Sequence, residues 1–318
     1  MKRQNIAIMI TGLALFGFVA TKVRWSDIAQ QLKAVSMALP VLFALSGLRM
    51  ALQTAAWSCA LRTYGIRASK TNLIGARLAS RSMGYLSVLG PVVSEPMRIR
   101  LLENRSPEAT TASLIDTGVY WASSWFFTIF ATVCAIQFIS GGRRLQSLVM
   151  LAPIVAGAAF LMLRRKPTLP ACVRAFGSRC PSWLREGERV EATIREFQGR
   201  HAVCIHRMFA CGLTCQILMC FELIAIFWLL RIPCHPSTIM GMEAASRAVK
   251  TMGGWLPARM GADESGMAAA SLTFGLSSLT GLAVALARRV RDMTEAITGL
   301  GWLAWRSRSN YHTFSRPS

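Results

Sequence analysis

The sequence predicts an all-α, polytopic membrane protein: about 7–8 transmembrane helices, with two re-entrant or broken helical hairpins forming an inverted repeat. Three observations predict it. The 318 residues are 53% hydrophobic and 16% charged, with mean hydropathy +0.39, too apolar for most soluble domains. An apolar run at 83–93 is too short to span a bilayer and is interrupted by Gly84, Gly90 and Pro91. It is flanked by Arg77 and Arg81 on one side and by Ser94, Glu95 and Arg98 on the other. Glycine and proline break helices, and irregular backbone at membrane depth survives only where protein or a watery cavity covers it. The third observation is an echo 169 residues on: Arg81-Ser82-Met83-Gly84 returns as Lys250-Thr251-Met252-Gly253, and Glu95 as Glu264. The same offset lays the apolar run 41–61 on 210–230, so two copies of one membrane unit are expected.

In chain order, Lys2 and Arg3 precede an apolar run at 6–20, read as an uncleaved first span with a cytoplasmic N-terminus. A short polar helix at 25–35 precedes a span at 39–61. Residues 73–93 form the first hairpin, with basic loops on both flanks. Spans at 113–139 and 145–163 follow, joined by Gly141-Gly142-Arg143-Arg144. The segment 164–207 is strongly basic, and Val190, Ile194 and Phe197 recur at helical spacing, giving an amphipathic helix along the inner surface. A span at 210–230, a second odd segment at 239–255, a span at 266–287 and a short helix at 293–305 complete the chain. The domain organisation is therefore one membrane domain, 1–305, with copies at about 39–163 and 208–305 around the basic segment, then a basic tail, 306–318.

Charge gives the orientation. Lys and Arg outnumber Asp and Glu 36 to 15. Eighteen of these cations fall in segments assigned to the inside and six in those assigned outside, so the spans 39–61 and 210–230 run in opposite directions. If 239–255 is re-entrant, Arg306, Arg308 and Arg316 lie outside; if it spans fully, they lie inside. Both arrangements stay open.

Ionisable groups at membrane depth cost about 2.5–3.5 kcal/mol each on insertion scales, so they tend to be paired, hydrated or functional. The first copy offers Arg77, Arg81, Glu95, Arg98 and Asp116, and the second Glu243, Arg247, Lys250, Arg259, Asp263 and Glu264. Arg77, Arg81, Arg98, Arg247, Lys250 and Arg259 are the candidates for holding a phosphate headgroup, which a guanidinium grips with two parallel hydrogen bonds. Glu95, Asp116, Glu243 and Glu264 would be the acidic side of the same groove. Glu243 and Arg247 stand four apart and suit a pair on one helical face, as plausible a role for them as function. For Glu95 and Glu264, capping the broken helices or pairing with Arg98 and Arg259 ranks ahead of carrying protons. Glu222, alone in an apolar helix, reads either as lipid-facing or as a core hydrogen-bonder.

No cofactor is expected: nucleotide-binding glycine loops, nucleophile elbows and His-Glu-x-x-His are missing from the sequence. His201, Cys204 and His206 lie close together in no standard zinc spacing. The nine cysteines lack a Cys-x-x-Cys, and Cys211, Cys215 and Cys220 read as small hydrophobes in one helix.

These motifs carry a resemblance. Leu89-Gly90-Pro91, then Ser94-Glu95-Pro96-Met97-Arg98-Ile99-Arg100-Leu101-Leu102, and later Pro257, Gly261, Glu264 and Gly266 resemble the lysylphosphatidylglycerol synthase transmembrane region, the flippase-like half of the multiple peptide resistance factor. Ser94 departs from the family's usual glycine, and Arg259 and Asp263 add charge to the second hairpin. The resemblance implies translocation of a polar-headed lipid between leaflets of the bacterial inner membrane, with no enzyme activity of its own. Membrane phospholipids are the expected partners, and nucleic acid is not. A partnership with a lipid-modifying enzyme through the basic segment, a secondary transporter of a small solute, and a homo-oligomer are the alternatives carried forward.

Overall fold

The computed structural model describes residues 36–87, 90–102, 106–140, 196–197, 199–233, 235–252 and 261–314. The expectations for 1–35 and 141–195, and the role given to Arg259, lie outside these residues. Eight α-helices and no strands make up the described residues: α1 Leu39–Thr63, α2 Lys70–Leu86, α3 Gly90–Arg100, α4 Pro107–Ser140, α5 Ala202–Leu229, α6 Pro236–Met252, α7 Ala262–Thr273 and α8 Ser278–Phe314. Their lengths repeat in order, with 25, 17, 11 and 34 residues followed by 28, 17, 12 and 37. Three of the helices, α1, α4 and α5, are long and apolar enough to cross a membrane.

Local chemistry sets the boundaries. Pro40 opens α1, where its missing N–H costs nothing, and Gly65 leaves it at φ 73°. The Ser69 hydroxyl accepts from the Asn72 N–H at 3.3 Å and starts α2. Ser87 ends α2, just before Gly90-Pro91 begin α3, so the first hairpin turns where the sequence breaks its apolar run. The second arm is longer than expected, reaching Arg100 instead of stopping at 93.

The core is two apolar clusters with a polar layer between them. One gathers Leu42, Phe127, Phe227, Met242 and Val284; the other gathers Trp57, Leu61, Leu73, Ile115, Ile205 and Met208. Helix directions follow. Chains α1 and α8 start at the first cluster and run to the second, where Trp302 packs, whereas α4 and α5 run the opposite way. The hairpin arm α2 begins at the second cluster with Leu73, and α6 begins at the first with Ile239. Both arms therefore climb from opposite ends into the polar middle.

Packing crosses between the two halves. α2 lies against α8, α6 against α4, and α1 against α5, while α2–α3 and α6–α7 form the hairpins. Small residues permit the closest approaches. A Cβ on Gly299 would meet the Leu78 carbonyl and Ser82, and one on Gly75 would meet the Trp302 indole, so α8 sits directly on α2.

Two expectations are corrected here. The span predicted at 266–287 is two helices: α7 ends at Thr273, Gly275 turns at φ 72°, and the Ser277 hydroxyl accepts from the Thr280 N–H at 3.2 Å to start α8. Continuous hydropathy across the turn concealed it. The short helix predicted at 293–305 is the later part of α8, which continues to Phe314, into the stretch read as a basic tail. Of the segment predicted at 239–255, the described residues 239–252 pack as a hairpin arm against α7. Of the predicted amphipathic face, Phe197 is buried in the second cluster and stacks on Tyr64 at 5.7 Å. Burial, with the Glu196 and Glu108 carboxylates nearby, pushes the Tyr64 phenol above its ordinary value.

Candidate functional site

The polar layer holds two ion networks. In the first, Asp116 on α4, only 4% exposed, accepts from Arg77 on α2 and from Arg98 on α3, the latter at 2.9 Å. Arg98 also donates to the Ser113 carbonyl at 2.7 Å and pairs with Glu95 at 3.0 Å; the Thr117 hydroxyl donates to Glu95 at 2.9 Å. Gln53 of α1 accepts from Arg77 at 3.3 Å. The Trp57 ring lies against both guanidinium groups, 5.6 Å from Arg77 and 4.8 Å from Arg98, with its own N–H on Ser113. Arg77, Arg98 and Asp116 are thus paired by protein, although the buried Nε of each arginine has no hydrogen-bond partner, and the pairing lets charges sit at this depth.

The second network centres on Glu222 of α5, which is fully buried. It pairs with Arg291, with Arg49 at 3.6 Å and with Arg288 at 3.8 Å. Arg288 continues to Glu243 at 2.7 Å, and Glu243 to Arg247 at 3.1 Å, the four-apart pair the spacing anticipated. Arg247 donates onward to Gln216 at 2.6 Å. On the other side, Glu295 of α8 accepts from Arg49 at 3.3 Å and from the Ser46 hydroxyl, and lies 3.5 Å from Arg81. Glu264 caps α7, accepting from the Gly261 N–H at 3.0 Å, and pairs with Arg289 at 2.8 Å.

Between the networks lies a cavity of about 360 Å³. Arg77, Arg81, Arg98, Glu95 and Asp116 line it from the first half, and Lys250, Asp292 and Glu295 from the second; Tyr85, Tyr120 and Trp121 complete the wall. Arg81 is the most exposed of these arginines, its side chain 37% exposed, whereas Arg77 and Arg98 are nearly fully buried. Across the cavity and both networks, eight cations (Arg49, Arg77, Arg81, Arg98, Arg247, Lys250, Arg288, Arg291) face six carboxylates (Glu95, Asp116, Glu222, Glu243, Asp292, Glu295). The layer carries a surplus of two positive charges, so the cavity favours an anion.

Four of the six predicted headgroup residues line this one cavity: Arg77, Arg81, Arg98 and Lys250. Arg247 and Glu243 do not; they belong to the buried network behind it. Glu264 does not either, since its carboxylate closes the start of α7. Sequence reasoning missed Arg49, Arg288, Arg291 and Glu295 and left Glu222 open. The signal is present in part: 288, 291, 292 and 295 recur at helical spacing, yet the expected boundaries put the first three between a span ending at 287 and a short helix starting at 293.

An all-helical membrane protein with two helical hairpins meeting at a buried charged layer is the class that fold and site define. The chain matches the model of the lysylphosphatidylglycerol synthase TM region over residues 5–294 and belongs to that family. No significant match was found among curated proteins or among solved structures.

Proposed function

We propose that the protein is a lipid translocase, moving a lipid with a polar, anionic or aminoacylated headgroup between leaflets without altering it. One observation carries this reading: Arg81 and Lys250, at equivalent places in the two halves, line a single cavity with a positive surplus. The headgroup phosphate would take the Arg81 guanidinium and the Lys250 ammonium, while acyl chains stay in the bilayer. An aminoacyl ammonium would face Glu95, whose side chain is 29% exposed. We read the two helix quartets as inverted copies, supported by the opposed directions of α1 and α5 and of α4 and α8; hairpins entering from both ends suit access from either leaflet. The reading includes the bacterial cytoplasmic membrane and a cytoplasmic N-terminus, supported by the basic residues of the predicted inner loops.

The test is leaflet exchange of labelled phosphatidylglycerol and its lysylated form in vesicles containing the purified chain. Acceleration by the wild type, cut about tenfold by Arg81→Gln, is the expected outcome. No exchange above protein-free vesicles for any headgroup would sink the translocase and favour a partner role beside a lipid-modifying enzyme.

A further inference from the structure

Glu295 stands apart from the other carboxylates of the layer. Three guanidinium groups from three helices converge on it: Arg49 of α1 at 3.3 Å, Arg81 of α2 at 3.5 Å and Arg291 of its own helix at 3.9 Å. Glu295 lines the cavity, with its side chain 16% exposed. The Arg81 contact is loose: at 3.5 Å it is an ion pair, and the Nη1 involved makes no hydrogen bond. Arg49 behind it is 3% exposed and keeps its Nε unbonded. Donor capacity thus converges where one carboxylate sits, and a phosphate has more acceptor oxygens than a carboxylate.

We infer that Glu295 is a tethered competitor for the phosphate of the cavity's ligand, holding Arg81 when the site is empty and yielding it when a phosphate arrives. The inference rests on the reading of the cavity as a headgroup site. The backbone cannot make the exchange, because Gly299 and Gly75 hold α8 directly against α2. A rotation of the Glu295 side chain can, and it leaves the carboxylate with Arg49 and Arg291. The competition also answers a transport requirement. A buried surplus of two positive charges draws an anion in, and without Glu295 the surplus would be three, too adhesive for release. A site that passes its ligand on must bind well enough to load and weakly enough to let go.

The experiment is calorimetric titration of the detergent-purified full chain with inorganic phosphate and with short-chain, water-soluble phosphatidylglycerol. Glu295→Gln should bind both about tenfold more tightly than wild type, while its leaflet exchange slows because release becomes limiting. Glu295→Asp, whose shorter side chain withdraws from Arg81 but keeps the charge near Arg49, should tighten both by a smaller factor and decides the matter if Glu295→Gln does not fold. Adding Arg81→Gln to either variant should abolish the gain. Affinity unchanged or weakened in the folded variants would overturn the inference and leave Glu295 a structural counter-ion. Tightening for inorganic phosphate alone would also overturn it, since the ligand would then be the free anion. A wild type that binds the short-chain lipid in this Glu295-dependent way but exchanges no lipid would defeat the translocase and spare the inference. Exchange with Glu295-independent affinity would do the reverse.

Discussion

Arg81 and Lys250, 169 residues apart in the chain, line the same cavity. One comes from the end of α2 and the other from the end of α6, helices that enter the polar layer from opposite ends. If both hold one phosphate, their effects on exchange are not independent. Arg81→Gln and Lys250→Gln should each slow exchange about tenfold, and the double variant should lose clearly less than a hundredfold. A double-substitution cycle on exchange rates measures the coupling. Full multiplicativity would mean the two cations serve different ligands.

Asp116 is the shared acceptor of two buried guanidinium groups. Asp116→Asn leaves Arg77 without a counter-charge at depth and Arg98 with Glu95 alone, a change of the kind that costs about 3–5 kcal/mol. Thermal unfolding in detergent should show a large loss. Arg77→Met added to Asp116→Asn should recover part of it, because the guanidinium left without a carboxylate is then gone.

Glu222 predicts the same sensitivity for the second network, and the surface offers its control. Glu222→Gln puts a fully buried neutral amide where Arg49, Arg288 and Arg291 converge, leaving them to Glu295, Glu243 and Asp292, and should lower the yield of folded protein. The Glu196–Arg200 pair has similar geometry, 3.2 Å and four apart, but is 64% and 74% exposed, so Glu196→Gln should leave the melting temperature unchanged.

Glycine contacts give a paired prediction on one helix. Gly299→Val drives a side chain into the Leu78 carbonyl and should destabilise by about 1–3 kcal/mol or more. Gly301 has open space where its Cβ would be, so Gly301→Ala should stabilise slightly, by about 0.5–1 kcal/mol. Melting curves of the two variants side by side check both.

Much of the fold was legible in the residues, because the 169-residue echo and the Gly90-Pro91 break are local signals. Arg77, Arg81, Arg98, Glu95 and Asp116 announced themselves as charges near that break. What hid the rest was hydropathy itself. Residues 288–292 look like a solvated break before the short helix expected at 293–305, since Arg288, Arg289, Arg291, Asp292 and Glu295 crowd eight positions. Their partners, Glu243 on α6, Glu264 on α7, Glu222 on α5 and Arg49 on α1, are 25 to 246 positions away, and window averages cannot see pairing at that range. Gly275 failed to register for a related reason: apolar residues continue on both sides of its turn.

The crossed packing also sets a timetable for synthesis. Arg77 finds Asp116 as soon as α4 is made, within the same half of the chain. The other face of α2 has no such neighbour: Gly75 and Ser82 fit against α8, which begins about 190 residues after α2 ends. At about 5–20 residues per second, that face waits on the order of 10–40 s before its partner exists. Through that interval α2 and its Arg81 must be sheltered by the insertion machinery, by lipid or by water. The nascent first half is thus a dependant of the second, and α8, made after the other seven described helices, is the one that completes the packing of the first hairpin.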